Sequence, residues 1–183
     1  MTVYIILGTI ISLLIFYILS TYNKLVKRQN RINTQWAQID VQLTRRADLI
    51  PNLVETVKGY ISHEKETFES ITLARNSLGD AHSPGHAMAA NDRLSSQLSY
   101  LFATAEAYPD LKADRSFIEL QSSLKETEDK IAYARQFYND AVLLYKDMLQ
   151  QFPSNIVAKM FNFKDESYYA VCENKNHETK INF

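Results

Sequence analysis

The sequence predicts an all-α protein: an N-terminal single transmembrane helix followed by an antiparallel up-and-down four-helix bundle. Three observations carry this: an apolar run from about Val3 to Tyr22, apolar residues recurring in steps of three and four beyond it, and a scarcity of turn-forming residues. Glycine stands only at 8, 59, 79 and 85 and proline only at 51, 84, 109 and 153, too few for the closely spaced turns of a β-rich chain. A chain of 183 residues accommodates one compact domain plus an appendage. The formal charge is -1, with no uniformly basic face to meet a phosphate backbone, so no nucleic acid partner is expected. Cys172 is the only cysteine, which excludes an internal disulfide.

Residues 1–23 read as the anchor. MTVYIILGTIISLLIFYILSTYNK has no ionisable side chain except tyrosine before Lys24, and its apolar stretch is close to the roughly 20 helical residues that cross a bilayer. Tyr4, Tyr17 and Tyr22 fall within or near the two interfaces, which suit a ring with a polar tip. A cleaved signal peptide needs a basic start, a shorter apolar core and a small-residue cleavage site, and the segment is therefore read as retained. Lys24, Lys27, Arg28 and Arg31 follow the span before any acidic residue, whereas the N-terminal flank has no Lys or Arg. Positive loops stay inside, so the N-terminus is expected outside and the remainder in the cytoplasm, with these cations at the membrane surface near anionic headgroups.

Residues 24–163 read as the bundle. Ile32, Trp36, Ile39 and Leu43 form one stripe of a first helix. The same register then meets Arg46 before resuming with Ile50, Leu53, Val57 and Tyr60. A straight helix would drive Arg46 into a packed seam, and Pro51 would delete a backbone hydrogen bond. The simpler expectation ends the helix near Ala47, turns at Asp48 to Ile50 and begins a second helix at Pro51; a kinked continuous helix is the alternative. That second helix would bury Leu53, Val57, Ile61, Phe68, Ile71 and Leu78 and stop at Gly79. A third would start near His86, bury Leu94, Leu98, Leu101 and Ala105, and stop at Tyr108 ahead of Pro109. The fourth keeps an unbroken seven-residue repeat from Phe117 through Leu124, Thr127, Ile131, Tyr138, Tyr145 and Met148 to Phe152. Pro153 ends or bends it, NIVAKMFNF is a short amphipathic continuation, and 164–183 is a polar C-terminal tail.

Candidate chemistry is sparse. No Glu-x-x-His pair, P-loop, dinucleotide fingerprint or nucleophile elbow is present, His82 and His86 flank a Ser-Pro-Gly loop, and no cofactor or metal is expected. Glu119, Glu126, Glu128 and Asp129 fall off the apolar seam and read as solvated, salt-bridged surface. Tyr138 and Tyr145 lie on the seam and read as core with hydroxyls near its edge. RRADLIPNLV supplies the candidate docking tip. Arg45, Arg46, Asp48, Asn52 and Glu55 would cluster at a helix turn roughly 40 Å from the bilayer, solvating that turn or meeting a protein partner.

The order TQWAQIDVQLTRRADLIPNLVETVKGYISHE, TLARN, AYPDLKA, IAYARQFYNDAV and FPSNIVAKMFNF resembles the bacterial LemA family across nearly all of the chain after the anchor. The resemblance implies a short N-terminal segment, one transmembrane helix and a cytoplasm-facing helical bundle in the bacterial inner membrane. It implies no particular reaction, because the family's activity is not established; one branch is linked to forming an intracellular membrane compartment. Two positions depart from the family pattern: Lys146 replaces a common asparagine and Asn162 a common glycine, the latter bearing on how sharply the chain turns before Phe163. The function expected is a non-enzymatic adaptor or scaffold at the membrane, binding the lipid bilayer and unknown protein partners. The alternative is a ligand or metal sensor, or an enzyme, with a polar pocket inside the bundle. Gly8 and Ser12 form a small-xxx-small pair compatible with a homo-oligomer.

Overall fold

A computed structural model describes residues 1–61, 64–81 and 83–169. It contains α1 (Thr2–Lys58), α2 (Lys65–Gly79), α3 (Pro84–Ala105), α4 (Pro109–Ala113), α5 (Arg115–Gln150) and α6 (Ser154–Met160), and no strand occurs among the described residues. One helix among them, α1, is long and apolar enough to cross a membrane, with a mean hydropathy of 2.4 over its most apolar window and none of that window buried.

The break expected at Asp48 to Ile50 is not there. Helix α1 runs through Pro51 for 57 residues, and the chain turns only after Lys58. Gly59 follows at once, and the Tyr60 and Ile61 amides close the last turn onto the Val57 carbonyl at 3.0 and 2.9 Å. A proline inside a helix removes the amide that would reach back four residues, here to Ala47. That carbonyl accepts instead from Arg75 Nε at 3.4 Å, so α2 supplies the donor that Pro51 lacks. The other starts follow their local chemistry. Ser83 Oγ accepts from the His86 amide at 3.4 Å with Pro84 in the first turn of α3, Pro109 opens α4, and Asp114 Oδ1 accepts from the Phe117 amide at 2.9 Å to cap α5.

The chain forms two compact units. The first comprises Met1–Arg45 and Lys125–Tyr168, where α1 and α5 run antiparallel. Arg45 pairs with Glu126 at 3.6 Å near one end, and the Trp36 and Tyr138 rings meet edge to face at 6.0 Å further along. Leu25, Ile32, Ile39 and Leu43 are buried on α1, and Ile131, Tyr138, Val142 and Tyr145 on α5, as both stripes require. The repeat fails at its last member, since Phe152 lies beyond the helix and is 79% exposed.

Helix α6 ends with the Phe163 amide bonded to the Ala158 carbonyl at 3.0 Å and the Asn162 amide to Lys159 at 3.2 Å, with Asn162 at φ 56. This is the paired-hydrogen-bond C-cap that a left-handed residue permits. Asparagine, tolerant of that region, makes the turn in place of glycine. The chain then returns along α5, where Tyr145 and Tyr138 donate to the Lys164 and Ser167 carbonyls at 2.9 and 3.1 Å. Asn162→Val is expected to cost about 1–2 kcal/mol, and Asn162→Gly to be neutral or stabilising, in chemical denaturation of the detergent-solubilised protein.

The second unit holds Arg46–Leu124 and includes Tyr169. Here α2 and α3, joined by a short connection, pack on each other, and every core position expected of them is buried: Phe68, Ile71 and Leu78 on α2, Leu94, Leu98, Leu101 and Ala105 on α3. Leu53, Val57 and Ile61 are buried beside them, and Phe102 meets Phe117 edge to face at 6.1 Å.

Candidate functional site

The register that singles out Arg46 does place it in a packed seam: it is 3% exposed. Its Nη1 donates to Asn91 Oδ1 at 2.7 Å and to Ser95 Oγ at 3.0 Å. Asn91 is itself fully buried. It falls on the same stripe of α3 as Leu94, Leu98 and Leu101, so a polar interruption in one helix answers a polar interruption in the other. A buried guanidinium held by short charge-assisted hydrogen bonds fixes which turn of α1 faces which turn of α3. The Asn91 side-chain nitrogen is buried with no hydrogen-bond partner, which leaves one donor uncompensated in this cluster.

The five residues expected at a tip therefore lie in mid-helix. Arg45, Asp48, Asn52 and Glu55 are exposed and Arg46 is enclosed, so the structure does not bring them together at a helix end. Arg75, silent in the sequence reading, has its role through Pro51. Arg75→Ala is expected to lower stability by about 1 kcal/mol, and in a Pro51→Ala background the same change is expected to cost little, because the new amide satisfies Ala47 directly.

Tyr60 Oη donates to Asp114 Oδ2 at 2.9 Å beside the α5 cap. The Phe117 amide, then the Tyr60 hydroxyl, hold the Asp114 carboxyl below its ordinary range, while the Asp114 hydrogen bond pushes Tyr60 up. A carboxyl with a depressed folded pKa stabilises above its unfolded pKa and loses that contribution as pH falls through the folded value. Thermal midpoints of the wild type and Asp114→Asn, whose amide still caps, are thus expected to converge as pH drops below about 4.

The four cations expected at a membrane surface come together in the first unit. Lys24, Lys27, Arg28 and Arg31 line a cleft of about 620 Å³ with Asn30, Thr34 and, from α5, Met148. All four lie within two turns of α1 directly after the apolar span. Further along the same unit, Tyr133 and Phe137 on α5 are 68% and 58% exposed, with Leu144 on the same helical face. The spacing of four and seven residues from Tyr133 through Phe137 to Leu144 is the signal the sequence offers for this face.

Catalytic features are weak. Among the described residues no group of three His, Cys, Asp or Glu side chains could hold a metal ion; His63, His82 and Cys172 lie outside those residues. Glu126 is held below the ordinary carboxylate range by Lys130 and then Arg45, and Arg115 pairs with Glu119 at 2.9 Å, so these carboxylates are engaged on the surface. Tyr138 and Tyr145 are buried, their hydroxyls pushed up by that burial and committed to backbone carbonyls.

The LemA family model matches residues 35–183. The chain is similar to Protein LemA of Metamycoplasma hominis, 26% identical over 174 residues covering 92% of this chain and 78% of that protein. It is also similar to magnetosome protein MamQ 2 of Paramagnetospirillum magneticum, 24% identical over 83% of this chain and 65% of that protein. Magnetosome protein MamQ of Magnetospirillum gryphiswaldense is 22% identical over 88% and 70% of the two chains.

Proposed function

Because the chain belongs to the LemA family, we propose that it is a single-pass membrane protein whose cytoplasmic four-helix bundle serves as a non-enzymatic adaptor or scaffold at the bacterial inner membrane. The anchor is the apolar beginning of α1, with the N-terminus outside, and Lys24, Lys27, Arg28 and Arg31 hold the membrane surface from within. The carrying observation is the exposed aromatic stripe of α5. Tyr133 and Phe137, with Leu144 below them, offer apolar area without a partner inside the first unit, in the spacing by which a groove or helix of another protein docks. Relatives named as magnetosome proteins favour a role in organising a cellular structure over a metabolic step.

A photo-crosslinking side chain at position 137 in living cells tests this reading. A discrete adduct, lost when Tyr133 is changed to Ser although helicity and melting are unchanged, is the expected result. Adducts at 137 no stronger than at exposed Glu119 would count against it. The second reading, a ligand sensor or enzyme with a polar pocket, draws on the buried Arg46, Asn91 and Ser95 cluster. A small anion that raised the melting point of the wild type but not of Arg46→Met would favour that reading.

A further inference from the structure

We propose that α6 and its flanks form a second membrane contact, an in-plane element whose outward face lies in the bilayer interface beside the anchor. This rests on the reading that the apolar part of α1 spans the membrane. Helix α6 has two faces. Val157 and Ala158 are buried, whereas Ile156 and Met160, four residues apart, are each 57% exposed, and Phe152 and Phe161 at its two ends are 79% and 46% exposed. In water such a face on a seven-residue helix is unfavourable; at a lipid surface it is the part that binds.

Its position decides what covers it. The Tyr22 ring packs against Phe161 at 4.8 Å and Phe163 at 5.6 Å, and Tyr22 is the last residue of the apolar run. Helix α5 reaches the same level, because Met148 lines the cleft formed by Lys24, Lys27, Arg28 and Arg31, and α5 ends two residues later at Gln150. The chain thus leaves α5 at the cationic collar and enters α6 beside the end of the span. On α1, Phe16 and Leu19, six and three residues before Tyr22, are 71% and 57% exposed. Lys159 near the α6 face and the four collar cations match the negative headgroups of an anionic leaflet. A protein partner would have to share this level with lipid, whereas the bilayer is already there.

The test uses the full-length chain with Cys172→Ser, carrying one nitroxide-labelled cysteine at a time in place of Leu14, Ile156, Met160 or Tyr133, in vesicles of phosphatidylcholine and phosphatidylglycerol. Accessibility to oxygen, which concentrates in lipid, is compared with accessibility to a polar nickel chelate. Labels at 14, 156 and 160 are expected to favour oxygen severalfold over the label at 133. A reading at 156 and 160 like that at 133, or low access to both reagents there, with 14 still deep, overturns the proposal alone. An aqueous reading at 14 overturns the anchor and the proposal with it.

Discussion

Asn91→Leu is expected to destabilise the protein by about 2–4 kcal/mol, because it withdraws the 2.7 Å acceptor from a guanidinium on a residue only 3% exposed. Apolar volume is gained at a buried position, so a simple hydrophobic ledger would predict the opposite sign. The charge decides it: a hydrogen bond to an ionised group contributes about 1.5–3 kcal/mol, and a buried guanidinium that loses its shorter side-chain acceptor is not compensated by apolar volume. Arg46→Met alone is expected to be milder, since at Asn91 and Ser95 it removes the donor from two neutral acceptors instead of an acceptor from a buried cation. The double variant Arg46→Met with Asn91→Leu is expected to recover most of the loss and to lie within about 1–2 kcal/mol of the wild type. Guanidinium or urea unfolding in detergent reads all three. Additive single effects would mean that the two residues do not act as a unit.

Ile10→Arg with Leu14→Arg is expected to abolish stable membrane insertion. The run from Val3 to Tyr22 contains twelve Val, Ile, Leu and Phe residues. At about 0.3–0.6 kcal/mol each these favour insertion by roughly 4–7 kcal/mol. Two arginines near the centre cost about 5–7 kcal/mol and also remove two favourable side chains, which reverses the balance. One arginine would only weaken it. The variant should leave membranes on an alkaline carbonate wash; retention equal to wild type would mean that the segment is not held by its hydrocarbon.

Much of this architecture is legible in the chain because a stripe of side chains is read without knowing its partner. Ile39, Leu43, Leu53, Val57, Leu94, Leu101, Leu124 and Tyr145 are buried as their spacing requires. The turn between the first two helices is misread for a specific reason. Arg46 and Pro51 each look like a helix terminator locally, and each is compensated by a residue distant in sequence, Asn91 for the charge and Arg75 for the missing amide. One of these compensations leaves a trace in the sequence: Asn91 precedes Leu94 and Leu98 at seam spacing, so two interrupted stripes point at one another. Arg75 leaves none, since an arginine on α2 reads as surface. With the helix end moved to Lys58, the expected tip dissolves into a mid-helix stretch, and the surface proposed for docking lies on α5 instead, where Phe137 is marked by its exposure. Phe152 keeps the heptad but leaves the helix, because spacing says nothing about where a helix stops.

The central claim is that one helix, α1, carries the chain out of the lipid and onward as a seam of the folded protein. Amide hydrogen exchange along α1, measured on the full-length chain in bilayers, tests it most directly. The account predicts one unbroken protected stretch from about residue 3 to residue 58, slowest in the apolar part where water is absent and still slow around residues 47 to 55. Fast exchange before Lys24, or an unprotected gap at Asp48 to Ile50, would contradict it.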